Sequence, residues 1–347
     1  MRVVVVGGTG NVGTSVVAAL AADPQVTSVL GLARRMPSWR PAKVEWSRAD
    51  VSADDLMPAF EGADAVVNLA WLFQPTRDPV LTWRNNVLGA IRVFGAAADA
   101  RVPVLVHASS VGAYSPGPKD RPVSETYPTH GWPRAAYSRE KSYLERVLDT
   151  FELKHPDIRV VRMRPAFIFK REASAEQRRL FAGPFVPQRL ARPELIPIVP
   201  DAPGLVFQAV HGDDVGEAYR LAVTKDVSGA FNLAADPVVD PAVLADLLGA
   251  KTVPVPGFML TGLVAAIWRL RLVPASPGLV DLVLKLPVMD VARAHHVLGW
   301  RPRHSAVDAL RAFASGLRDR DGMDTPPLAP PSGGRAGEVT SGVGGAP

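Results

Sequence analysis

The sequence predicts a doubly wound parallel α/β sheet with a smaller C-terminal substrate domain, on three observations. Short β-branched runs alternate with longer helical patterns through the first half, the signature of βαβ units. Residues 3–13, VVVVGGTGNVG, run an apolar strand straight into a glycine-spaced turn. Segments such as AVVNL (65–69) and VPVLV (102–106) are apolar at successive positions, as strands covered on both faces must be.

Strands are expected near 2–7, 27–33, 43–47, 64–69, 103–109 and 158–164, with helices near 11–22, 52–60, 80–100 and 134–154. After Phe169 prolines 184, 187, 193, 197, 200 and 203 change the texture, and a helical pattern resumes near 213–225. A strand AFNLA (230–234) follows, then a helix that Asp240 caps and Pro241 opens. Residues 258–286 are very apolar, and helices near 290–298 and 305–318 close the fold. Residues 1–168 read as a dinucleotide-binding domain and 169–320 as a substrate domain whose stretch near 205–235 packs back on the first. Beyond Asp321, inclusive, 12 of 27 residues are Gly or Pro, so 321–347 are expected to form a disordered tail.

At 347 residues and 47% apolar content the chain can bury a sizeable core. It has no cysteine, which excludes disulfides, thiolate metal sites and thiol nucleophiles and suits a reducing cytoplasm. The N-terminus lacks a signal-peptide pattern, and the longest apolar stretch, Phe258 to Trp268, falls short of the roughly 20 residues a spanning helix needs. A cytoplasmic protein with no stable membrane insertion is expected. The net charge is +5, but Lys and Arg are scattered without aromatic-interleaved basic runs. No nucleic-acid partner is expected; an anionic cofactor or small-molecule substrate makes better use of mild positive charge.

Gly7, Gly10 and Gly13 follow a strand and open a helix, the context of a dinucleotide fingerprint. Glycines there permit the tight turn and the approach of backbone to pyrophosphate, while Asn11 and Val12 begin the helix whose N–H groups face the phosphates. The second strand ends Ala33-Arg34-Arg35, with alanine where an acid usually bonds a ribose hydroxyl. Two guanidinium groups suit a 2′-phosphate, so NADP is preferred, with NAD as the alternative. Asp50 and Val51 close the third strand toward the adenine, and Leu69 and Ala70 close the fourth beside pyrophosphate and ribose. Tyr137 and Lys141 stand at i and i+4 and so share a helix face. An ammonium close to a phenol lowers its pKa toward the range of general acid/base work. Ser110, ending the fifth strand, can hydrogen-bond a substrate oxygen.

With GGTGNVG, Asp50-Val51, Leu69-Ala70, NNVLG (85–89), HASSVGAY (107–114), YSREK (137–141), RMRPAFIF (162–169), VHGDDV (210–215) and LGWRPRHS (298–305), the chain resembles an extended short-chain dehydrogenase/reductase of the NAD-dependent epimerase/dehydratase type. The match keeps the family's order over about 300 residues. The resemblance implies a Rossmann sheet, Ser110 as catalytic serine with Tyr137 and Lys141, Asn85 against cofactor or substrate, and Pro165 by the nicotinamide amide. It also implies a homodimer through the helices near 80–100 and 134–154. His211, Asp213 and Asp214 become a turn and helix cap. Two departures weaken a sugar-nucleotide assignment: PAFIFK (165–170) lacks the usual Asn or Tyr-Gly-Pro, and no acid stands at position 33.

The expected activity is hydride transfer between a nicotinamide and a carbonyl or secondary alcohol. The alternatives are a sugar-nucleotide epimerase or dehydratase and a non-catalytic NADP-sensing regulator. Arg171, Arg178, Arg179, Arg189 and Arg192 suit a substrate diphosphate; Trp71, Phe169, Phe181 and Phe185 suit an apolar compound equally well. Segment 258–286 reads as a cover over the active site, with a membrane-resting surface or a greasy pocket wall as alternatives. The adjacent His295 and His296 face different ways on a helix, and no metal site is expected.

Overall fold

The computed structural model describes residues 1–74, 77–181, 197–270 and 273–330. The first half runs β1 (Arg2–Val6), α1 (Asn11–Ala22), β2 (Ser28–Ala33), β3 (Val44–Arg48), α2 (Met57–Phe60), β4 (Ala65–Asn68), α3 (Pro79–Trp83), α4 (Gly89–Asp99) and β5 (Val104–Ala108). Then come β6 (Pro122–Val123), α5 (Ala136–Lys154), β7 (Arg159–Pro165), β8 (Phe167–Phe169), α6 (Ser174–Phe181), β9 (Ile198–Asp201), β10 (Phe207–His211) and α7 (Gly212–Thr224). The chain closes with β11 (Gly229–Leu233), β12 (Ala235–Val239), α8 (Pro241–Leu248), β13 (Lys251–Pro254), α9 (Gly257–Arg269), α10 (Pro277–Lys285), β14 (Val288–Met289) and α11 (Ala306–Asp319).

Seven strands form a parallel sheet in the order β3-β2-β1-β4-β5-β7-β11. Both faces are covered, so β1 is apolar throughout. Val3 and Val5 pack with Val16, Leu20, Val215 and Tyr219 on one side, while Val4 and Val6 pack with Phe60, Val87, Phe94 and Leu144 on the other. Fully burying each such side chain is worth about 1.5–3 kcal/mol. The strand order reverses between β1 and β4, which opens a crevice at their carboxyl ends. Gly7 and Leu69-Ala70 lie at that crevice.

Three strands, β12-β10-β8, make a second small sheet. Asp240 accepts the Val243 N–H and Pro241 opens α8, as the sequence implied. The helix expected over 52–60 shrinks to α2, because Asp50 and Asp55 accept the backbone N–H groups of Ser52 and Met57 and hold the chain in turns. The helix expected over 80–100 carries a wide π-type turn at Arg84–Leu88 between α3 and α4.

The tail expectation needs correction over residues 321–330. Leu328 and Thr325 are buried, the Asp324 carbonyl accepts the Ser38 and Trp39 N–H groups, and Arg179 donates to the Pro327 carbonyl at 2.7 Å. One buried leucine and fixed backbone partners hold this short strap, a signal that average tail composition hides. Residues 331–347 lie outside the described residues. No helix among the described residues is long and apolar enough to cross a membrane, and no cluster of three metal-ligand side chains occurs among them.

Candidate active site

The turn after β1 has no room for side chains. Gly7 has φ +82°, and a Cβ there would come within 2.8 Å of the Ala70 nitrogen. A Cβ on Gly13 would run into the Gly7 carbonyl. Gly10 caps α1 without a side chain to accept its first N–H groups, which stay available to an anion. Val12 packs against the core. Asn11 donates to the Ile168 carbonyl at 3.4 Å, while its Oδ1 is buried without a partner. Behind the turn the buried Lys170 ammonium donates to Thr14 Oγ1 at 2.5 Å and Ser15 Oγ at 3.1 Å.

Ala33 ends β2 buried, and Arg34 and Arg35 extend beyond it exposed. Glu176 of α6 is close enough to feel the charge of Arg35. Burial pushes its carboxyl up to about 7 against the pull of Arg179, Lys170 and Arg35. Asp50 accepts the Ser52 amide and hydroxyl at 2.8 and 2.7 Å. Burial raises its carboxyl, but Ser52, Arg34 and Arg84 together leave it below its ordinary value. Val51 sits where a Cβ on Gly89 would approach its Cγ2 to 2.7 Å, so that helix glycine lets α4 pack on the loop. Leu69 donates its N–H to the Val6 carbonyl at 2.9 Å, and Ala70 donates to Asn68 Oδ1 at 3.3 Å. Asn85 spends its amide N–H on the Leu81 carbonyl at 2.9 Å. Pro165 ends β7 beside Leu233.

Ser110, Tyr137 and Lys141 come together where β5 meets α5. Ser110 Oγ accepts the Gly112 N–H at 2.9 Å, and its hydroxyl opposes the rise of the neighbouring Tyr137 phenol. Gly112 is needed there, because a Cβ would lie 2.6 Å from Tyr137 Cε1. Lys141 is buried, and its Nζ donates to the Ala108 carbonyl at 2.6 Å. Its Nζ lies 5.9 Å from the Tyr137 ring centroid but only 3.5 Å from that of Trp71. Phe73 stacks on Tyr137 at 5.1 Å, and Trp71 meets it edge-on at 5.5 Å.

These neighbours reverse the expected tuning of the phenol. Burial pushes Tyr137 up to about 12, with the Ser110 hydroxyl opposing and the Glu140 charge adding to the rise. Lys141 is not what sets the phenol; burial drags the ammonium itself down to about 7, against Glu140 and Glu145. Sequence spacing put the two groups on one face but carried no information on the aromatic rings that dehydrate both.

Sequence reasoning assigned no role to Asn86 or Glu140. Asn86 Oδ1 accepts the Leu72 N–H at 2.7 Å, and its Nδ2 donates to the Leu72 carbonyl at 2.9 Å and to Glu140 Oε2 at 2.8 Å. Thr82 donates to Glu140 Oε1 at 2.6 Å. This buried cluster pins the Trp71–Phe73 segment against α5. The available signal was two adjacent amides at the start of a helix and an acid inside the YSREK run.

A cavity of about 250 Å³ adjoins Tyr137, walled by Trp71, Phe73, Pro79, Trp268, Pro277 and Leu279, with Arg134 and Arg139 also lining it. Arg171 instead pairs with Asp319 and Asp321, and Arg179 holds the Pro327 carbonyl. Phe181 meets Phe73 edge-on at 5.8 Å, Phe169 packs on Phe313, and Arg178 is buried. Phe185, Arg189 and Arg192 lie outside the described residues. His211 caps α7, and Asp214 receives the Arg303 and His304 N–H groups at 2.9 and 3.0 Å.

Known proteins resemble this chain in sequence and fold. An uncharacterized protein of Mycobacterium tuberculosis is 27% identical over 326 residues, which are 93% of this chain. The chain spans about a third (31%) of the length of that curated relative. A UDP-glucose 4-epimerase of Lactobacillus helveticus is 25% identical over 340 residues, 90% of this chain and 96% of that protein. A ketoreductase of Stigmatella aurantiaca, acting on a farnesyl dihydroquinoline oxide, is 27% identical over 179 residues, 50% of this chain and 52% of that protein. Among solved structures, the UDP-glucose 4-epimerase of Thermotoga maritima with UDP-glucose superposes with TM-score 0.68 at 19% identity, covering 92% of this chain and 99% of that one. The Thermus thermophilus UDP-glucose 4-epimerase complex with NAD does so at 0.67 and 22%, with coverage of 92% and 99%. These solved structures share the fold. The model of the NAD dependent epimerase/dehydratase family matches residues 3–234, from the first strand of the glycine turn through β11, and the chain belongs to that family.

Proposed function

We propose that this chain catalyses net hydride transfer between NADP(H) and the carbonyl or secondary-alcohol carbon of an apolar small molecule. The observation that carries this reading is the gathering of Ser110, Tyr137 and Lys141 beneath the Trp71–Phe73 wall, at a cavity lined by aromatic rings together with Arg134 and Arg139. The residues present fit a dinucleotide. Gly7 leaves no space for a Cβ, α1 begins uncapped, and the buried Asn11 Oδ1 lacks a partner.

Gly7, Gly10, Asn11, Val12 and Gly13 would hold the diphosphate, and Asp50, Val51, Leu69, Ala70, Asn85 and Pro165 would line the rest. Arg34 and Arg35 suit a 2′-phosphate, since Ala33 brings no carboxylate to repel it. The cofactor, when bound, supplies or accepts the hydride. With its pKa near 12, Tyr137 is a phenol at neutral pH and donates its proton to the carbonyl oxygen as charge builds there. Ser110 orients that oxygen by hydrogen bonding. Lys141 would hold the nicotinamide ribose. The groove of about 480 Å³ between α4 and α5, lined by Ile91, Phe94, Tyr143, Val147 and Phe151, supports a homodimer across those helices. The lack of cysteine and the choice of NADP(H) suit the cytoplasm.

A sugar-nucleotide epimerase is the second reading, favoured by the near full-length likeness to the Lactobacillus helveticus epimerase. One experiment separates the two. The chain is mixed with NADPH and a panel of apolar ketones, and separately with NAD and UDP-sugars. Stoichiometric NADPH oxidation with a ketone supports the oxidoreductase, whereas UDP-sugar interconversion without net cofactor consumption supports the epimerase.

A further inference from the structure

Lys170 closes the PAFIFK stretch (165–170), where the chain lacks the usual Asn or Tyr-Gly-Pro. The residue is 2% exposed, and its Nζ reaches two hydroxyls at the start of α1, Thr14 Oγ1 at 2.5 Å and Ser15 Oγ at 3.1 Å. Thr14 Oγ1 in turn lies 3.1 Å from the Gly10 carbonyl, so a chain of hydrogen bonds runs from the ammonium to the residue that caps the helix. Gly212, which opens α7, makes the space for this side chain. A Cβ there would come within 2.8 Å of Lys170 Cδ.

The ammonium has no bonded counter-charge among the described residues. The exposed Asp213 is reached only through Ser15, whose hydroxyl donates to Asp213 Oδ1 at 3.1 Å. Glu172 and Glu176 act on Lys170 at a distance, and burial pushes the Glu176 carboxyl up to about 7, which leaves it only partly charged at neutrality. Burial lowers the Lys170 pKa against the pull of all three acids. A buried cation without a bonded anion costs free energy unless a ligand supplies one. The place for such a ligand is the α1 N-terminus, where Gly10 leaves the first N–H groups uncapped.

We propose that Lys170 is a binding determinant for the diphosphate of the dinucleotide, acting by its charge from beneath the glycine turn and through the first turns of α1. The assignment rests on the dinucleotide-binding reading and is independent of the reaction catalysed. It is distinct from the part given to Arg34 and Arg35. Those two act only on a 2′-phosphate, whereas the diphosphate is common to NADPH and NADH. Lys170 therefore strengthens the binding of both cofactors alike.

The test is calorimetric titration of NADPH and NADH into wild type, Lys170→Met and Lys170→Gln, with urea unfolding of each chain without cofactor. Methionine fills similar space, and the hydroxyls of Thr14 and Ser15 keep their acceptors at Gly10 and Asp213. Lys170→Met should weaken both cofactors at least about tenfold, because a charge in the protein interior is little screened. Its cofactor-free stability should equal or exceed that of wild type, since an unpaired buried charge has been removed. Lys170→Gln, which keeps an N–H donor without the charge, should bind as weakly as Lys170→Met. Four results would overturn the assignment: Lys170→Met affinities within about threefold of wild type, a loss confined to NADPH, wild-type affinity in Lys170→Gln, or a cofactor-free Lys170→Met chain that unfolds at lower urea than wild type. Wild type that binds neither cofactor would remove the dinucleotide reading and this assignment with it. Tight wild-type binding with unaltered variants would remove this assignment alone.

Discussion

The Lys141 ammonium faces the Trp71 indole at 3.5 Å and the Tyr137 ring at 5.9 Å. The aromatic ring shields the cation from water, and burial holds Lys141 near 7 and Tyr137 near 12. Trp71→Ala would hydrate both groups. The Tyr137 pKa should fall toward its ordinary value by at least about half a unit, and Lys141 should rise. The check is the pH profile of alcohol oxidation, whose rising limb should move to lower pH.

Under the proposed reaction the high pKa of Tyr137 would make the two directions differ in pH dependence in wild type. Carbonyl reduction uses the phenol, which predominates below about pH 11, so the Tyr137 contribution is flat around neutrality. Alcohol oxidation uses the phenolate, so its kcat/KM should climb by roughly tenfold per pH unit from about pH 7 to 9. Tyr137→Phe should lower reduction by about 10²–10⁴-fold with cofactor affinity within a few-fold of wild type. Steady-state rates across pH, with a cofactor titration, check both.

Asn86 ties Leu72 to Glu140 inside the protein. Asn86→Ala would remove two bonds to the Leu72 backbone and strip Glu140 Oε2 of its partner. Leaving buried polar groups unpaired costs about 1–3 kcal/mol. Urea unfolding should show the unfolding free energy lowered by about that amount, and so an earlier midpoint, with slower turnover because Trp71 and Phe73 lose their anchor.

Acid sensitivity should centre on His107. Burial, with Lys141 and Arg162 adding to it against Glu145, lowers this histidine to about 3 from its ordinary 6.5. The unfolded chain therefore binds a proton that the folded chain refuses, so stability is complete above about pH 6.5 and drains as pH falls toward 3. By about pH 5.5 the His107 share of the loss is about 1.4 kcal/mol. Urea unfolding of wild type and His107→Gln at neutral and acid pH should show the variant with a shallower decline.

The sheet was legible because its central strands are buried on both faces and its turns announce themselves. Gly7, Gly10 and Gly13 mark the crevice, and the spacing of Tyr137 and Lys141 places both on α5. The second sheet escaped notice because β8 has three residues just beyond Pro165 and β12 is interrupted by Pro237, so neither shows strand periodicity. The strap at 321–330 depends on Leu328 finding a distant pocket, which no local pattern encodes. The direction of the Tyr137 pKa likewise depends on Trp71 and Phe73, 66 and 64 positions earlier in the chain. Asn86 stood in plain view beside Asn85, but only the fold shows that it grips Leu72.

The cofactor end of the site offers the most direct measurement. Calorimetric titration of NADPH and NADH into wild type and into Ala33→Asp/Arg34→Ser compares a 2′-phosphate with a ribose hydroxyl at one strand end. Charge-assisted hydrogen bonds to such a phosphate are worth about 1.5–3 kcal/mol, so wild type should prefer NADPH by at least about tenfold. The double variant should shift that preference toward NADH. Equal wild-type affinities, or a variant that keeps the NADPH preference, would contradict the assignment of Arg34 and Arg35 and with it the choice of NADP(H).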